Sequence, residues 1–244
     1  MDIKILYEDE DLLVLDKPSF LTVNKSDTTV GEMTVQDWVE EKFSFIKLST
    51  TDKESDFYKR AGIVHRIDKE TSGILIVAKS PVAFQNLQSQ FKTRKVKKTY
   101  VALVHGKVIP ASGEISVPVG RLPWNRKMFG IVAGGREAVT KYKVLSVKYL
   151  LSGKVKEPLT LLELSPETGR THQIRVHLKY FNHPIFSDFL YGGRKVSRQD
   201  RKFLPRVFLH AAKISFFNPK TNELISFESK LPVELNNFLE FLIP

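Results

Sequence analysis

His65-Arg66-Ile67-Asp68-Lys69-Glu70-Thr71-Ser72-Gly73 runs directly into Ile74-Leu75-Ile76-Val77-Ala78-Lys79, and the fold is read outward from this junction. The first part is basic and turn-forming and carries one carboxylate, Asp68. The second is a short unbroken apolar run, the pattern of a strand buried on both faces. A carboxylate on a loop held by a rigid element is placed where chemistry tends to sit. An isolated Asp in such a position is more often a turn cap. Here His65, Arg66 and Lys69 put positive charge beside it. A lone carboxylate can act as a nucleophile in covalent catalysis if it stays ionised and is aimed.

The flanking pattern mixes strands and helices. Ile3 to Tyr7 and Leu12 to Asp16 read as strands around the acidic turn Glu8-Asp9-Glu10-Asp11. Lys17-Pro18-Ser19-Phe20 then turns or extends the backbone. Val35, Trp38, Val39, Phe43 and Ile46 recur at helical spacing and predict a helix over 33–46. Residues 48–58 are polar and read as a loop. Ser80-Pro81 is an N-cap followed by an N1 proline, opening a helix through Phe84, Leu87 and Phe91. Strands are expected over 101–105, 113–118, 137–148, 159–164 and 207–216. Between 118 and 137 a loop is expected to carry Arg121, Arg126, Lys127 and Arg136. Helices are expected over 171–181, entered through Glu167-Thr168-Gly169-Arg170, and over 233–242. With no repeat, low-complexity linker or composition break, the simplest organisation is one α+β domain over 1–244.

Composition narrows the partners. A chain of 244 residues is long enough for a sizeable core. Lys plus Arg exceed Asp plus Glu by 38 to 27, a net charge of +11, which favours a polyanionic partner, most commonly nucleic acid. Cysteine is absent, which excludes disulfides, a thiolate nucleophile and Cys-based zinc sites, and fits a cytoplasmic protein. The start, Met1-Asp2-Ile3-Lys4-Ile5-Leu6, is neither a signal nor a transit peptide. No apolar run approaches the roughly 18 residues that span a membrane. His172 and His177 are five apart, not the i, i+4 spacing of a helical metal pair, so no metal is expected.

Two further segments carry candidate chemistry. In Gly169-Arg170-Thr171-His172-Gln173-Ile174-Arg175-Val176-His177, a helix would bring Arg175 and Thr171 to one face. Gly169 would permit a sharp entry, and Arg170 with Thr171 at the helix N-terminus would suit a phosphate. An ordinary basic amphipathic helix is the competing reading. Lys98-Thr99-Tyr100 closes a basic stretch in which charges could meet phosphates and a ring could stack on a base. A solvated basic turn explains that segment equally well.

Taken in order, these segments resemble the RluA-type pseudouridine synthases. Val14-Leu15-Asp16-Lys17-Pro18 is similar to the family's opening strand and turn. His65 to Gly73 is similar to its HRLD-x-x-TSG motif, with Ile67 for the usual Leu. Lys98-Thr99-Tyr100, Thr168 to His177 and Leu209-His210-Ala211 match three more motifs. Ser187-Asp188-Phe189-Leu190-Tyr191-Gly192-Gly193 is similar to a GD-x-x-YGG loop, with Ser187 for Gly. The resemblance covers residues 3–217. It implies an α+β catalytic domain with a mixed, mostly antiparallel sheet flanked by helices and loops. It also implies isomerisation of uridine to pseudouridine in ribosomal or transfer RNA, which needs no cofactor; nothing in the sequence demands a dimer, so a monomer is expected. By the same resemblance Asp68 is the catalytic carboxylate, Arg175 its orienting ion-pair partner, and Tyr100 packs on the uracil. Arg66 would enter the space left by the extruded base, which costs a few kcal/mol to extrude. His65, Lys98, Arg170 and Leu209 complete the substrate contacts, with the 121–127 loop on the RNA backbone.

Because the first strand begins at Ile3, no small RNA-binding domain is expected before the catalytic one. Ile for Leu at 67 keeps the volume, whereas Ser for Gly at 187 puts the local turn in question. A catalytically idle RNA-binding protein of the same fold is the alternative, against which Asp68, Tyr100 and Arg175 all stand. A nucleoside hydrolase for small molecules fits poorly with a charge of +11.

Overall fold

The structure, a computed structural model, describes residues 2–26, 29–44, 52–153 and 155–244, without the side chains of Arg126, Lys127 and Ser152. In chain order these residues form β1 (Lys4–Glu8), β2 (Leu12–Lys17), α1 (Val35–Lys42), α2 (Asp56–Lys59), β3 (Ser72–Ala78) and α3 (Pro81–Lys92). There follow β4 (Lys97–His105), β5 (Ser112–Ser116), β6 (Val119–Leu122), β7 (Asn125–Ile131), β8 (Val139–Ser152) and β9 (Val155–Pro166). The last elements are α4 (Gln173–Tyr180), α5 (Arg194–Asp200), β10 (Leu209–Phe217), β11 (Leu224–Glu228) and α6 (Val233–Phe241). The class is α+β with mostly antiparallel strands, as the sequence predicts. The chain divides into two units, residues 1–97 with 211–230 and residues 98–210 with 231–244. Their borders fall at the start of β4 and inside β10 rather than in linkers, so composition gives no sign of them.

In the first unit the strand order is β1-β2-β3-β10, with β11 on β10. The run after Asp68 is β3, and all seven of its residues are buried. It pairs antiparallel with β2, from Leu12 opposite Ala78 to Lys17 opposite Gly73. Gly73 has φ of 110° and a Cβ there would collide with the Ala211 backbone. Only glycine permits both the conformation and the approach. Ala83, Phe84 and Leu87 of α3 pack on Leu12, Val14, Ile74, Ile76, Ile214 and Phe216. The cap read from sequence is present: Ser80 Oγ accepts the Ala83 N–H at 3.2 Å, with Pro81 in the first turn.

The first helix is shorter than the predicted 33–46. Thr34 and Asp37 form a reciprocal capping box that fixes its start, and Phe43 is extended at its end. Ile46 of that prediction, and 48–51 of the predicted loop, lie outside the described residues. Part of the remaining loop is helical: Ser55 caps the single turn of α2. The strand β11 was not read from sequence, being a short partner of β10 beyond the turn at Asn218–Asn222.

In the second unit the order is β4-β9-β8-β5. The strands β8 and β9 form a long ribbon, from Thr140 opposite Pro166 to Ser152 opposite Val155. The predicted 159–164 is only the apolar, buried part of β9. Its outer end is solvated, Val155 being 64 % exposed, so the apolar pattern stops before the backbone ladder does. The expected loop over 118–137 instead contains the antiparallel pair β6–β7, with Val119 opposite Ile131. The unread α5 precedes a core built from β4, β9, Ile174 and Leu178 of α4, and Leu235, Phe238 and Leu239 of α6.

Among the described residues no helix is long and apolar enough to cross a membrane. Among the same residues no group of three or more His, Cys, Asp or Glu is placed to hold a metal ion.

Candidate active site

The Asp68 turn is held at both ends. On one side the Ile76 N–H donates to His65 Nε2 at 3.0 Å, and the His65 ring packs on Phe91 at 4.9 Å. Accepting at Nε2 requires that nitrogen to be unprotonated. His65, predicted to bind substrate, is therefore bound through this atom to β3. On the other side Lys17, fully buried, donates from Nζ to the carbonyls of Pro18 and Leu21, both at 2.8 Å, and of Lys69 at 3.2 Å. A buried ammonium needs such acceptors, and the third belongs to the residue after Asp68. Within the turn, the Thr71 N–H donates to the Asp68 carbonyl at 3.1 Å. Ile67 is buried as a peg between exposed Arg66 and half-buried Asp68. The aliphatic replacement at 67 thus keeps its packing role, while both charged neighbours face outward enough to meet a ligand.

The second unit carries the remaining candidates. Tyr100 lies on β4 opposite Leu164 of β9 and packs against the core cluster that contains Leu209. Leu209 itself is 3 % exposed. Lys98 donates from Nζ to the Thr168 carbonyl at 3.2 Å, and burial lowers its pKa to about 8. Arg170 donates from Nε to the Glu137 carbonyl at 3.0 Å.

The turn into α4 differs from the sequence reading. The helix opens at Gln173, so Thr171 lies outside it and shares no helical face with Arg175. Gly169 is not left-handed. The left-handed residue is His172, at φ of 55°. Gln173, buried, organises this entry with its whole side-chain amide. Its Oε1 accepts from Thr168 Oγ1 at 2.7 Å and the Arg170 N–H at 3.0 Å. Its Nε2 donates to the Val139 carbonyl and Thr140 Oγ1, both at 3.0 Å.

Arg175 is gripped by a residue to which the sequence assigned no role. Its Nε and Nη2 donate to the two carboxylate oxygens of Asp188, each at 2.8 Å, and both side chains are buried. Asp188 Oδ1 also accepts the N–H groups of Leu190 and Tyr191 at 3.0 and 3.1 Å. The guanidinium lies 5.0 Å from the Tyr191 ring centre. The Tyr191 hydroxyl is 2.8 Å from His172 Nδ1 and accepts the Phe129 N–H at 3.2 Å. The bidentate grip on Nε and Nη2 fixes the plane of the guanidinium. The only sequence signal for Asp188 was its place in the Ser187–Gly193 motif.

Ser187 has φ of 63° and no exposed surface. Its Oγ donates to the Leu204 carbonyl at 2.6 Å and its N–H donates to Asp200 Oδ2 at 3.0 Å. These bonds hold a non-glycine residue in a conformation that glycine would adopt freely. Asp200 Oδ2 is also 3.0 Å from His105 Nε2, and His105 Nδ1 is 2.7 Å from Glu157 Oε1.

Residues 11–180 match the family profile described as RNA pseudouridylate synthase. The chain belongs to this family. The matched span includes Asp68, Tyr100 and Arg175, whereas Asp188 and Leu209 follow it. Ribosomal large subunit pseudouridine synthase D of Neisseria meningitidis serogroup B is 37 % identical over 99 % of this chain. The chain spans 62 % of that relative's length. The uncharacterized RNA pseudouridine synthase YlyB of Bacillus subtilis is 36 % identical over 99 % of the chain and 73 % of its own length. Human RNA pseudouridylate synthase domain containing 1 aligns structurally at a TM-score of 0.74 and 26 % identity, over 100 % of this chain and 89 % of that one.

Proposed function

We propose that this chain isomerises specific uridines to pseudouridine in RNA, with Asp68 as the catalytic carboxylate. The observation that carries the reading is the Asp68 turn, immobilised through His65 and Lys17 while the carboxylate stays only half-buried. Pre-positioning of this kind is what a reaction at a single ribose requires. The N1–C1′ bond of the uridine breaks and a C5–C1′ bond forms. The C5 proton is lost and N1 gains one, so no electrons are exchanged and no redox cofactor is called for. In this reading Arg175, its plane set by Asp188, orients Asp68, and Tyr100 packs on the uracil. Arg66 enters the space left by the extruded base, and Lys98 and Arg170 bind the phosphate backbone.

The substrate is ribosomal or transfer RNA. Ribosomal RNA is favoured because the Neisseria relative is named for the large ribosomal subunit. A net charge of +11 fits either polyanion. The enzyme then works as a monomer in the cytoplasm. The test is mass spectrometry of mapped RNA fragments, after chemical labelling of pseudouridine, from cells with and without the gene. Specific pseudouridines should vanish with the gene and return with the wild type but not with Asp68→Asn, which should bind the RNA nearly as well. Product formation by Asp68→Asn would refute the assignment of the carboxylate.

A further inference from the structure

Phe20 has φ of 65° and is 49 % exposed. A bulky residue in the left-handed region is a rare conformation. The other described non-glycine residues with positive φ have local reasons. Asn182 and Asn222 are of a type that tolerates it, and Arg94 follows the C-cap of α3. Ala61 is small and buried, and Ser187 and His172 have the side-chain hydrogen bonds described above. Phe20 has no polar atom to make such a bond, and half of its surface meets water.

Its position gives the conformation a use. The turn containing Phe20 wraps around Lys17 Nζ, which donates to the carbonyls on either side, those of Pro18 and Leu21. The same nitrogen donates to the Lys69 carbonyl, so the Phe20 turn and the Asp68 turn are pinned to one buried ammonium. The next strand residue, Thr22, is bridged to Thr34, and Glu32 pairs with Lys69 at 2.6 Å. The backbone that carries this exposed ring is therefore tied to a turn that presents Arg66 and Lys69 to solvent. Rings beside cations are how RNA bases and phosphates are held together on a protein surface.

We infer that Phe20 is a stacking platform for a nucleobase of the RNA bound at the Asp68 turn, and so adds to the affinity for the nucleotides around the target uridine. This rests on the RNA reading above.

Phe20→Gly removes the ring and relieves the backbone at once, which separates binding from folding. The probe is total RNA from cells lacking the gene, with affinity measured by filter binding and folding by thermal unfolding. Phe20→Gly should bind about tenfold more weakly, with an unfolding midpoint no lower than that of the wild type. Phe20→Trp, which keeps a π-face, should bind within about twofold of the wild type. Unchanged affinity in Phe20→Gly would overturn the inference. A fall in its midpoint alongside its affinity would overturn it too, by making the ring part of the fold. A wild type that binds this RNA but forms no pseudouridine would sink the proposed activity while leaving the affinity comparison to judge Phe20. A wild type that does not bind the RNA would sink both.

Discussion

Raising the pH should weaken the second unit through His105. The imidazole is 12 % exposed, with Glu157 at 2.7 Å from one nitrogen and Asp200 at 3.0 Å from the other. The imidazolium offers two donors to these two carboxylates, and the neutral ring offers one. Burial alone would lower its pKa, but the hydrogen bonds to Asp200 and Glu157 outweigh burial and raise it from 6.5 to about 9. Folding therefore favours the protonated ring. The resulting stability is fully present below 6.5 and is lost as pH rises through 9. At about 1.4 kcal/mol for each tenfold change in proton affinity, the loss is about 3 kcal/mol. Glu157 is 41 % exposed, so solvent screening makes this an upper figure. Lys98 acts with the opposite sign. Its folded pKa of about 8 lies below its ordinary 10.5, so its burial destabilises at lower pH and this penalty fades between those values. The comparison must therefore be made against His105→Gln, which retains Lys98 and does not titrate. Urea unfolding followed by circular dichroism at about pH 6 and about pH 9.5 measures both proteins. The advantage of the wild type over His105→Gln should shrink by up to about 3 kcal/mol across this range. An advantage that stays constant would refute the two-carboxylate account of His105.

Lys17→Met should leave the carbonyls of Pro18, Leu21 and Lys69 without their shared donor, costing about 3 kcal/mol. Its unfolding midpoint should fall by roughly 10 °C in a thermal scan. An unchanged midpoint would mean the ammonium is not what holds this turn. Ser187→Ala keeps the left-handed backbone and loses the bond to the Leu204 carbonyl, so it should cost about 1–2 kcal/mol in chemical unfolding. Ser187→Gly loses the same bond but relieves the backbone, so it should be the more stable of the two, and the reverse order would contradict the compensation described for this turn. RNA affinity should fall steeply with added salt, by more than about tenfold between 50 and 200 mM, as contacts from several Lys and Arg to phosphates require. A flat salt dependence would exclude a phosphate-led interface.

Several elements of the fold could be read from the chain before any fold was known. The passage from a charged turn into an apolar run located Asp68 and predicted β3, because a fully buried strand must be apolar on both faces. Ser80-Pro81 located the start of α3, because caps act within a few residues. The motif order assigned the family; the roles of Tyr100 and Arg175 belong to the proposal built on it.

Other features depend on residues far apart in sequence meeting in space. The reach of Lys17 to the Lys69 carbonyl spans 52 positions. The grip of Asp188 on Arg175 depends on how the Ser187 turn packs against α4. The left-handed entry at His172 moved the helix start to Gln173 and removed Thr171 from the face of Arg175. The extended β8–β9 ribbon and the β6–β7 pair escaped a pattern that detects burial, since solvated strands keep their hydrogen bonds without an apolar stripe. Local composition records turns, caps and buried runs because their causes lie within a few residues. The partners of buried charges, and the precise aim of a guanidinium, are set by desolvation and by hydrogen-bond geometry that exist only after packing.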